Sequence, residues 1–144
     1  MRTFGLILTL FAAPAQAWTF TPDPVCTLAD DTADLRLAIT YDPWQDQPYA
    51  IALTLTRQVW PQADAFAIRF PGSRDLVIST DRHQLSDGGR TLTVTDRGFD
   101  NVLNGLAQAG VAVAQLGERS YAIPLAGISA PLAAFLACPA TPIS

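Results

Sequence analysis

The amino-acid sequence predicts a mainly β fold, namely an antiparallel β-sandwich or half-open barrel of about seven strands with two short helices. From Asp34 to about Val94, large apolar residues alternate with polar or small ones, which is the period of a half-buried strand. Only two short segments, about 97–109 and 130–138, space their apolar residues as helices do. Because the strands do not alternate with helices, an antiparallel arrangement is favoured over a parallel βαβ sheet.

Turn-rich connections separate the strand segments. The predicted strands lie in 34–42, 49–57, 65–70, 75–80, 85–96, 110–117 and 120–125. Two of these connections have a clear mechanism. The stretch DPWQDQP, 42–48, is rich in turn-forming residues, and the Asp-Gly pair at Asp87 and Gly88 predicts a hairpin turn because glycine tolerates positive φ.

The first helical segment precedes the last pair of strands. Its apolar residues lie three or four positions apart, at Phe99, Val102, Leu103, Leu106 and Ala107. Asp96 is placed to cap the start of this helix and Gly110 to end it. Gly105 lies inside the segment, where glycine costs up to about 1 kcal/mol relative to alanine. The preferred explanation is the close approach of a strand backbone, with a ligand contact as the alternative.

The second helical segment begins at Ser129, which is predicted as its N-cap. Pro131 falls in the first turn, where its missing N–H costs little. A core-facing stripe is predicted at Leu132, Phe135 and Leu136.

The first seventeen residues have the features of a cleaved secretory signal. Arg2 supplies a positive start, 4–13 is apolar but shorter than the roughly 20 residues of a membrane-spanning helix, and 15–17 reads AQA, a typical cleavage signal. The sequence therefore predicts an exported protein, periplasmic or extracellular, with a single domain over 18–144. A buried N-terminal helix is the alternative.

Export determines how the two cysteines are interpreted. In an oxidising compartment, Cys26 and Cys138 are predicted to form an intramolecular disulfide, with an intermolecular bridge or free thiols as alternatives. No charged residue lies within ten positions of Cys138, so its surroundings do not favour a reactive thiolate.

Composition argues against several classes of function. A net charge of −4 disfavours nucleic acid and anionic membranes as partners. A single histidine and two cysteines disfavour a transition-metal site, and no phosphate-binding loop or other cofactor motif is present. The acidic stretch with Asp30, Asp31 and Asp34 lacks the spacing of a calcium loop, so a solvated turn between two strands is expected there.

Two residues are candidates for an interaction surface. Trp44 would mark such a surface if its loop stands clear of the core, although a loop that folds back to cap the sandwich is the favoured expectation. His83, the only histidine, is flanked by Asp81 and Asp87, either of which could orient an acid–base imidazole. A solvated hairpin end is the favoured interpretation of His83.

The segment RSYAIPLAGISAPLAAFLAC, 119–138, resembles the end of small exported proteins of the invasion-associated locus B group, in which a strand runs into a short Ala/Phe/Leu helix. The resemblance implies a β-sandwich in a secreted or periplasmic, non-enzymatic protein that takes part in envelope interactions. It implies no catalytic residue.

Three functions follow as hypotheses. The leading one is an exported, non-enzymatic β-sandwich that serves as a binding or structural module of the envelope or periplasm, with an unknown protein or envelope component as its partner. The alternative is a small hydrolase, or an inhibitor of one, that uses His83 and neighbouring aspartates. A carrier of lipids or small molecules would need a cavity, whereas the bulky in-facing Tyr41, Tyr49, Phe66 and Phe70 predict a filled core.

Overall fold

The computed structural model describes residues 5–8, 18–72 and 75–138. Apart from 5–8, which have no regular secondary structure, the predicted signal segment lies outside the described residues, as does 139–144. In the described ranges the chain forms ten β-strands in two antiparallel sheets and two α-helices. The predicted mainly β fold is confirmed, with more strands than the seven expected.

The strands and helices follow one another in a simple order. They are β1 (Thr19–Thr21), β2 (Cys26–Asp31), β3 (Leu35–Tyr41), β4 (Tyr49–Leu55), β5 (Phe66–Phe70), β6 (Leu76–Thr80), β7 (Gln84–Ser86), β8 (Thr91–Asp96), α1 (Asp100–Gln108), β9 (Val111–Leu116), β10 (Arg119–Pro124) and α2 (Ser129–Ala137). A single 3-10 turn, Asp87–Gly89, joins β7 to β8. Asp87 and Gly88 both have positive φ there, at 53° and 65°, as the Asp-Gly signal predicts.

The two sheets face each other as an open sandwich. The six-stranded sheet has the order β1-β2-β3-β4-β8-β7, and the four-stranded sheet has the order β10-β9-β5-β6. Cross-strand register places Ile39 between Leu28 and Ile51, so the apolar residues of neighbouring strands share one face. The inner faces of both sheets contribute to one hydrophobic core, which is the arrangement that strand alternation predicts.

Two tryptophans are buried in this core and form hydrogen bonds with backbone carbonyls. Trp18 precedes β1 of the first sheet, and its indole N–H donates to the carbonyl of Pro124 in β10 of the second sheet, at 3.0 Å. The indole N–H of Trp60 donates to the carbonyl of Leu53, also at 3.0 Å. Both side chains are only 2 % exposed, so each large ring is buried with its one polar atom satisfied.

The expected acidic turn is wrong for two of its three aspartates. Asp30 and Asp31 belong to β2, and only Asp34 lies in the connection to β3. Because side chains alternate along a strand, Asp30 shares the inward face with Leu28 and is 3 % exposed. A strand that ends in two aspartates has low β propensity by composition, which explains why β2 does not stand out in the sequence.

Helix α1 starts later than its capping signal suggests. The first helical hydrogen bond runs from the Leu103 N–H to the Phe99 carbonyl, at 2.8 Å, and Asp96 is not the cap. Asp96 instead ends β8, where its carboxylate accepts the Arg97 N–H and pairs with Arg82. The rest of the predicted face is buried, except Ala107, which is exposed.

Helix α2 is rotated relative to the predicted face. Leu132 and Phe135 are buried as expected, but Leu136 is 48 % exposed, and Ile128 rather than Ser129 takes the N-cap position. Cys138 lies three residues after Phe135 and is bonded to Cys26, so the side of the helix bearing these two residues is held against the sheet. Leu136 consequently lies at the edge of the buried face and is partly exposed to solvent.

The Cys26–Cys138 disulfide confirms the predicted pairing. It joins residues 112 positions apart, with 6.5 Å between their Cα atoms, and connects the start of β2 to the end of α2. Neither helix in the described part of the chain has the length and apolar character needed to cross a bilayer.

Candidate functional site

The loop between β3 and β4, 42–48, is a fixed turn at one end of the sandwich. The Asp42 N–H donates to the Pro48 carbonyl at 2.8 Å, which closes the loop at its base. The Asp42 carboxylate accepts the backbone N–H of Trp44 at 3.1 Å, and the Asp42 carbonyl accepts the Gln45 N–H at 3.2 Å. These bonds place Trp44 at the outer side of a well-defined turn.

Trp44 is 85 % exposed, whereas the other two tryptophans of the chain are buried. The favoured expectation that its ring folds back over the sandwich is therefore wrong. The strand ends at the base of the loop belong to a row of neighbouring tilted rings, with centroids 4.9 Å apart between Tyr41 and Tyr49 and 5.6 Å apart between Tyr49 and Phe99. The indole of Trp44 itself remains in solvent.

Tyr49 is the middle ring of this row. Burial raises the pKa of Tyr49 above its ordinary value, and the neighbouring Tyr41 and Asp100 raise it further. The end of the sandwich below Trp44 therefore keeps a neutral aromatic surface at physiological pH.

A polar groove of about 710 Å³ lies beside this turn, and we call it the loop groove. It is lined by Val25, Thr40, Asp42, Gln45, Asp46, Gln47, Pro48, Ala50, Thr95 and Arg97. Cross-strand pairing places Ala50 between Thr40 and Thr95, so small side chains on the outer face of the first sheet form a shallow floor. The Thr95 hydroxyl donates to the Gln47 side-chain oxygen and ties the loop to this floor.

The charges of the loop groove are mixed. Asp42 and Asp46 supply two carboxylates, and Arg97 supplies one guanidinium. Among the described residues none of these three side chains belongs to an ion pair. Their hydrogen-bonding groups therefore remain available to a ligand, apart from the Asp42 oxygens that hold the turn.

His83 lies in a neighbouring depression rather than beneath Trp44. The depression has a volume of about 440 Å³ and is lined by Gln47, Asp81, Arg82, His83, Gln84 and Thr95. Gln47 and Thr95 also line the loop groove, so the depression with His83 adjoins the groove beside the turn that carries Trp44.

The hydrogen bond of His83 fixes its tautomer. Nε2 lies 3.0 Å from the Ala63 carbonyl, which can only accept, so Nε2 carries the hydrogen of this bond. Nδ1 is buried without a partner, and neither Asp81 nor Asp87 bonds to it. A general base needs an accessible nitrogen, and this ring presents none to solvent.

A surface cleft opens between the two sheets beside α1, while Phe66 and Phe70 are buried in the core as expected. Its volume is about 290 Å³. It is lined by Ile51, Phe66, Ile68, Ile78, Ser79, Thr80, Arg82, Val94, Asp96, Gly98, Phe99, Asp100, Asn101 and Val102. The walls combine apolar side chains with polar ones, and the polar part includes an ion pair between Arg82 and Asp96, 3.3 Å apart. Strand β6, an edge strand of the four-stranded sheet, lines the cleft with Ile78, Ser79 and Thr80.

One polar residue of the core was missed by sequence reasoning. Asp30 has a buried carboxylate oxygen, Oδ1, without a hydrogen-bond partner. Burial raises its pKa, the charge of Asp31 raises it further, and a backbone hydrogen bond from Asp31 lowers it by less. The sequence signal that could have revealed this burial is the spacing of Cys26, Leu28 and Asp30, which places all three side chains on one face of a strand. Asp30 lies outside the clefts described above, so its effect is on stability.

Across residues 5–8, 18–72 and 75–138, no three or more His, Cys, Asp or Glu side chains are grouped to hold a metal ion. The fold and the surface together define an open β-sandwich with a tryptophan-bearing turn and a polar groove at one end. Neither a protein-family model, nor a curated protein, nor a solved structure matches the chain.

Proposed function

We propose that the chain is an exported, non-enzymatic binding module of the envelope or periplasm, and that it recognises its partner with the end of the sandwich that carries Trp44. The observation that carries this proposal is the 85 % exposure of Trp44 on a hydrogen-bonded turn. Tryptophan is enriched at binding hot spots because it contributes a large, stiff contact surface. Its backbone is held by the turn, and its indole ring is left in solvent.

Two further observations support export. Disulfides persist in oxidising compartments, and the Cys26–Cys138 bond connects the two ends of the domain. Trp18, the residue directly after the predicted cleavage site, is buried in the core. Cleavage before Trp18 therefore keeps in the mature protein every core residue found in the described ranges. The resemblance of 119–138 to the invasion-associated locus B group is consistent with the same proposal.

The non-enzymatic part of the proposal rests on His83. Its Nε2–H is engaged by a carbonyl and its Nδ1 is buried, so it has no free nitrogen with which to accept a proton from a substrate. A His83→Gln variant should retain any binding measured for the wild-type protein. Loss of a substrate turnover in that variant would instead support the hydrolase alternative.

Export is tested by expressing the gene from Met1 in a Gram-negative host. The expected result is a periplasmic protein that begins at Trp18 and contains no free thiol. A cytosolic product that retains Met1, or one with two free thiols, would contradict the proposal.

Recognition is tested by immobilising the exported, oxidised protein and recovering bound components from a solubilised envelope extract. Wild type is compared with Trp44→Ala and with Val77→Ala, a control that removes an exposed apolar side chain from β6. We expect one component to be recovered by wild type and Val77→Ala and lost with Trp44→Ala. Equal recovery by all three proteins would exclude the Trp44 surface.

A second candidate function, carriage of a small apolar molecule, is favoured by the inter-sheet cleft. Its volume of about 290 Å³ approaches the lower limit of typical ligand sites. An environment-sensitive apolar dye should bind to the wild-type protein. It should not bind to Ile78→Trp, because the larger ring fills the cleft from the edge strand. Equal dye fluorescence with both proteins would remove this candidate.

A further inference from the structure

We infer that the loop groove and Trp44 bind a neutral, polyhydroxylated ligand, a segment of an envelope glycan. The inference rests on the proposed function, since it names the class of ligand for the same surface. Three properties of the surface lead to it: an exposed indole face, a lining of hydrogen-bonding groups of both senses, and a shallow floor of small residues.

The indole of Trp44 suits the C–H face of a sugar ring. One face of a pyranose carries axial hydrogens with slight positive charge, and the face of an aromatic ring is slightly negative. Trp44 is 85 % exposed, so this face is available without any rearrangement. Two hydrogen bonds to Asp42 already fix the backbone of the turn, which reduces the entropy lost when a ligand binds.

The lining of the groove matches the chemistry of hydroxyl groups. The carboxylate of Asp46 accepts hydrogen bonds, the guanidinium of Arg97 donates them, and the amide of Gln45 does both. A hydroxyl also donates and accepts. A row of hydroxyls can therefore satisfy every one of these groups, whereas an apolar ligand would leave them unpaired and desolvated.

Charge favours a neutral ligand over an ionic one. Two carboxylates and one guanidinium line the groove, so neither a strongly anionic nor a strongly cationic ligand finds a surface of one opposite sign. The net charge of −4 for the whole chain further disfavours polyanions. Polar recognition without a dominant charge is therefore the expected mode.

The floor and size of the groove fit flat rings. Thr40, Ala50 and Thr95 lie side by side on adjacent strands and project little above the sheet. The volume of about 710 Å³ lies within the roughly 300–1,000 Å³ of sites for drug-sized ligands, which leaves room for more than one sugar ring.

The experiment uses Trp44 as its own reporter. Trp18 and Trp60 are 2 % exposed, so iodide quenching of tryptophan fluorescence in the folded, oxidised protein reports on Trp44. The probes are soluble, defined oligosaccharides: the trimers of N-acetylglucosamine, β-1,4-glucose and β-1,3-glucose, and enzymatically released, peptide-free peptidoglycan strands. A basic and an acidic nonapeptide are tested in parallel.

We expect at least one oligosaccharide to protect Trp44 from iodide in a saturable manner, and neither peptide to do so. By calorimetry, the dissociation constant for that sugar should rise about tenfold or more in Trp44→Ala and in Arg97→Gln. It should stay unchanged in Val77→Ala. Calorimetry is needed for the variants because Trp44→Ala removes the exposed fluorophore.

Several results would overturn the inference. If no oligosaccharide binds, or if a peptide protects Trp44 instead, the glycan assignment is wrong. Recovery of an envelope component that still depends on Trp44 would then leave the proposed function standing. If no oligosaccharide binds and recovery is also independent of Trp44, both proposals fail together.

Discussion

The ring of Phe70 lies 2.5 Å from the point that a Cβ atom would occupy on Gly105. Gly105 is buried on the inner side of α1, and Phe70 is the last residue of β5, 2 % exposed. The preferred explanation of this glycine, close approach of a strand, is thus correct in kind, although a side chain and not the backbone makes the approach. The missing side chain lets α1 pack directly on an aromatic ring.

Gly105→Ala should therefore destabilise the protein although alanine is the better helix former. The gain in helix propensity is at most about 1 kcal/mol, whereas a methyl group forced into a packed core typically costs about 1–3 kcal/mol. Urea unfolding measures the difference. Asn104→Ala, at an exposed position of the same helix, is the matched control and should be neutral or stabilising. A Gly105→Ala protein more stable than wild type would show that the Phe70 ring moves aside at little cost.

Cys138→Ser should lower stability substantially. Joining residues 112 positions apart restricts the unfolded chain, and the chain-entropy model assigns about 4–5 kcal/mol to a loop of this length. Thermal unfolding of the variant should occur many degrees below that of the oxidised wild type. Reduced wild-type protein is the control and should unfold with the variant. If reduction leaves the wild-type transition unchanged, the disulfide does not stabilise the domain.

The predictable part of the fold is the part that local alternation specifies. Phe66, Ile68 and Phe70 are all buried because alternate side chains of a strand point to the same face of the sheet, and the residues between them point to the other face. The two strands that flank the loop groove, β3 and β4, were evident for the same reason. Strand β2 was missed because its end, Asp30 and Asp31, has the composition of a turn. These two residues belong to the sheet because they pair with β3, and that pairing is not visible in the local sequence.

The site could be predicted only as a set of candidates. Phe99 comes from a distant part of the chain and packs against Tyr49 beside the loop, a contact that no pattern within 42–48 specifies. The loop groove likewise combines Val25 and Arg97 with the loop between them. Such juxtapositions depend on strand order, which alternation along a single strand does not specify.

Truncating Trp44 should leave the stability of the protein almost unchanged, whereas truncating Trp18 should lower it strongly. Trp44 makes little contact with the core, so Trp44→Ala should change the free energy of unfolding by less than about 0.5 kcal/mol. Trp18→Ala removes a buried ring and its bond to the Pro124 carbonyl, and should cost about 3–5 kcal/mol. Denaturant unfolding of both variants measures the contrast. A large loss with Trp44→Ala would mean that its indole has a structural role.

Asp30 makes folding stability depend on pH in an unusual direction. Its carboxyl is buried beside Leu28, and one oxygen has no hydrogen-bond partner, so the pKa is raised above the ordinary value of 3.8. Below pH 3.8 the group is protonated in both the folded and the unfolded chain and carries no penalty. As pH rises, the unfolded chain loses its proton first, so the unfolded state becomes relatively more stable until the folded carboxyl also ionises.

Asp30→Asn removes the ionisable group while keeping nearly the same shape, so it should be more stable than wild type at pH 7. The difference in melting temperature should shrink steadily as the pH is lowered and vanish near pH 3, because the wild-type carboxyl is then neutral as well. Thermal unfolding between pH 3 and pH 7 measures both curves. Asp34→Asn, in the exposed turn after β2, is the control and should follow wild type at pH 7 within about 0.5 kcal/mol. A lower melting temperature for Asp30→Asn at pH 7 would mean that the charged carboxylate, despite its unpaired oxygen, is stabilised by the fold.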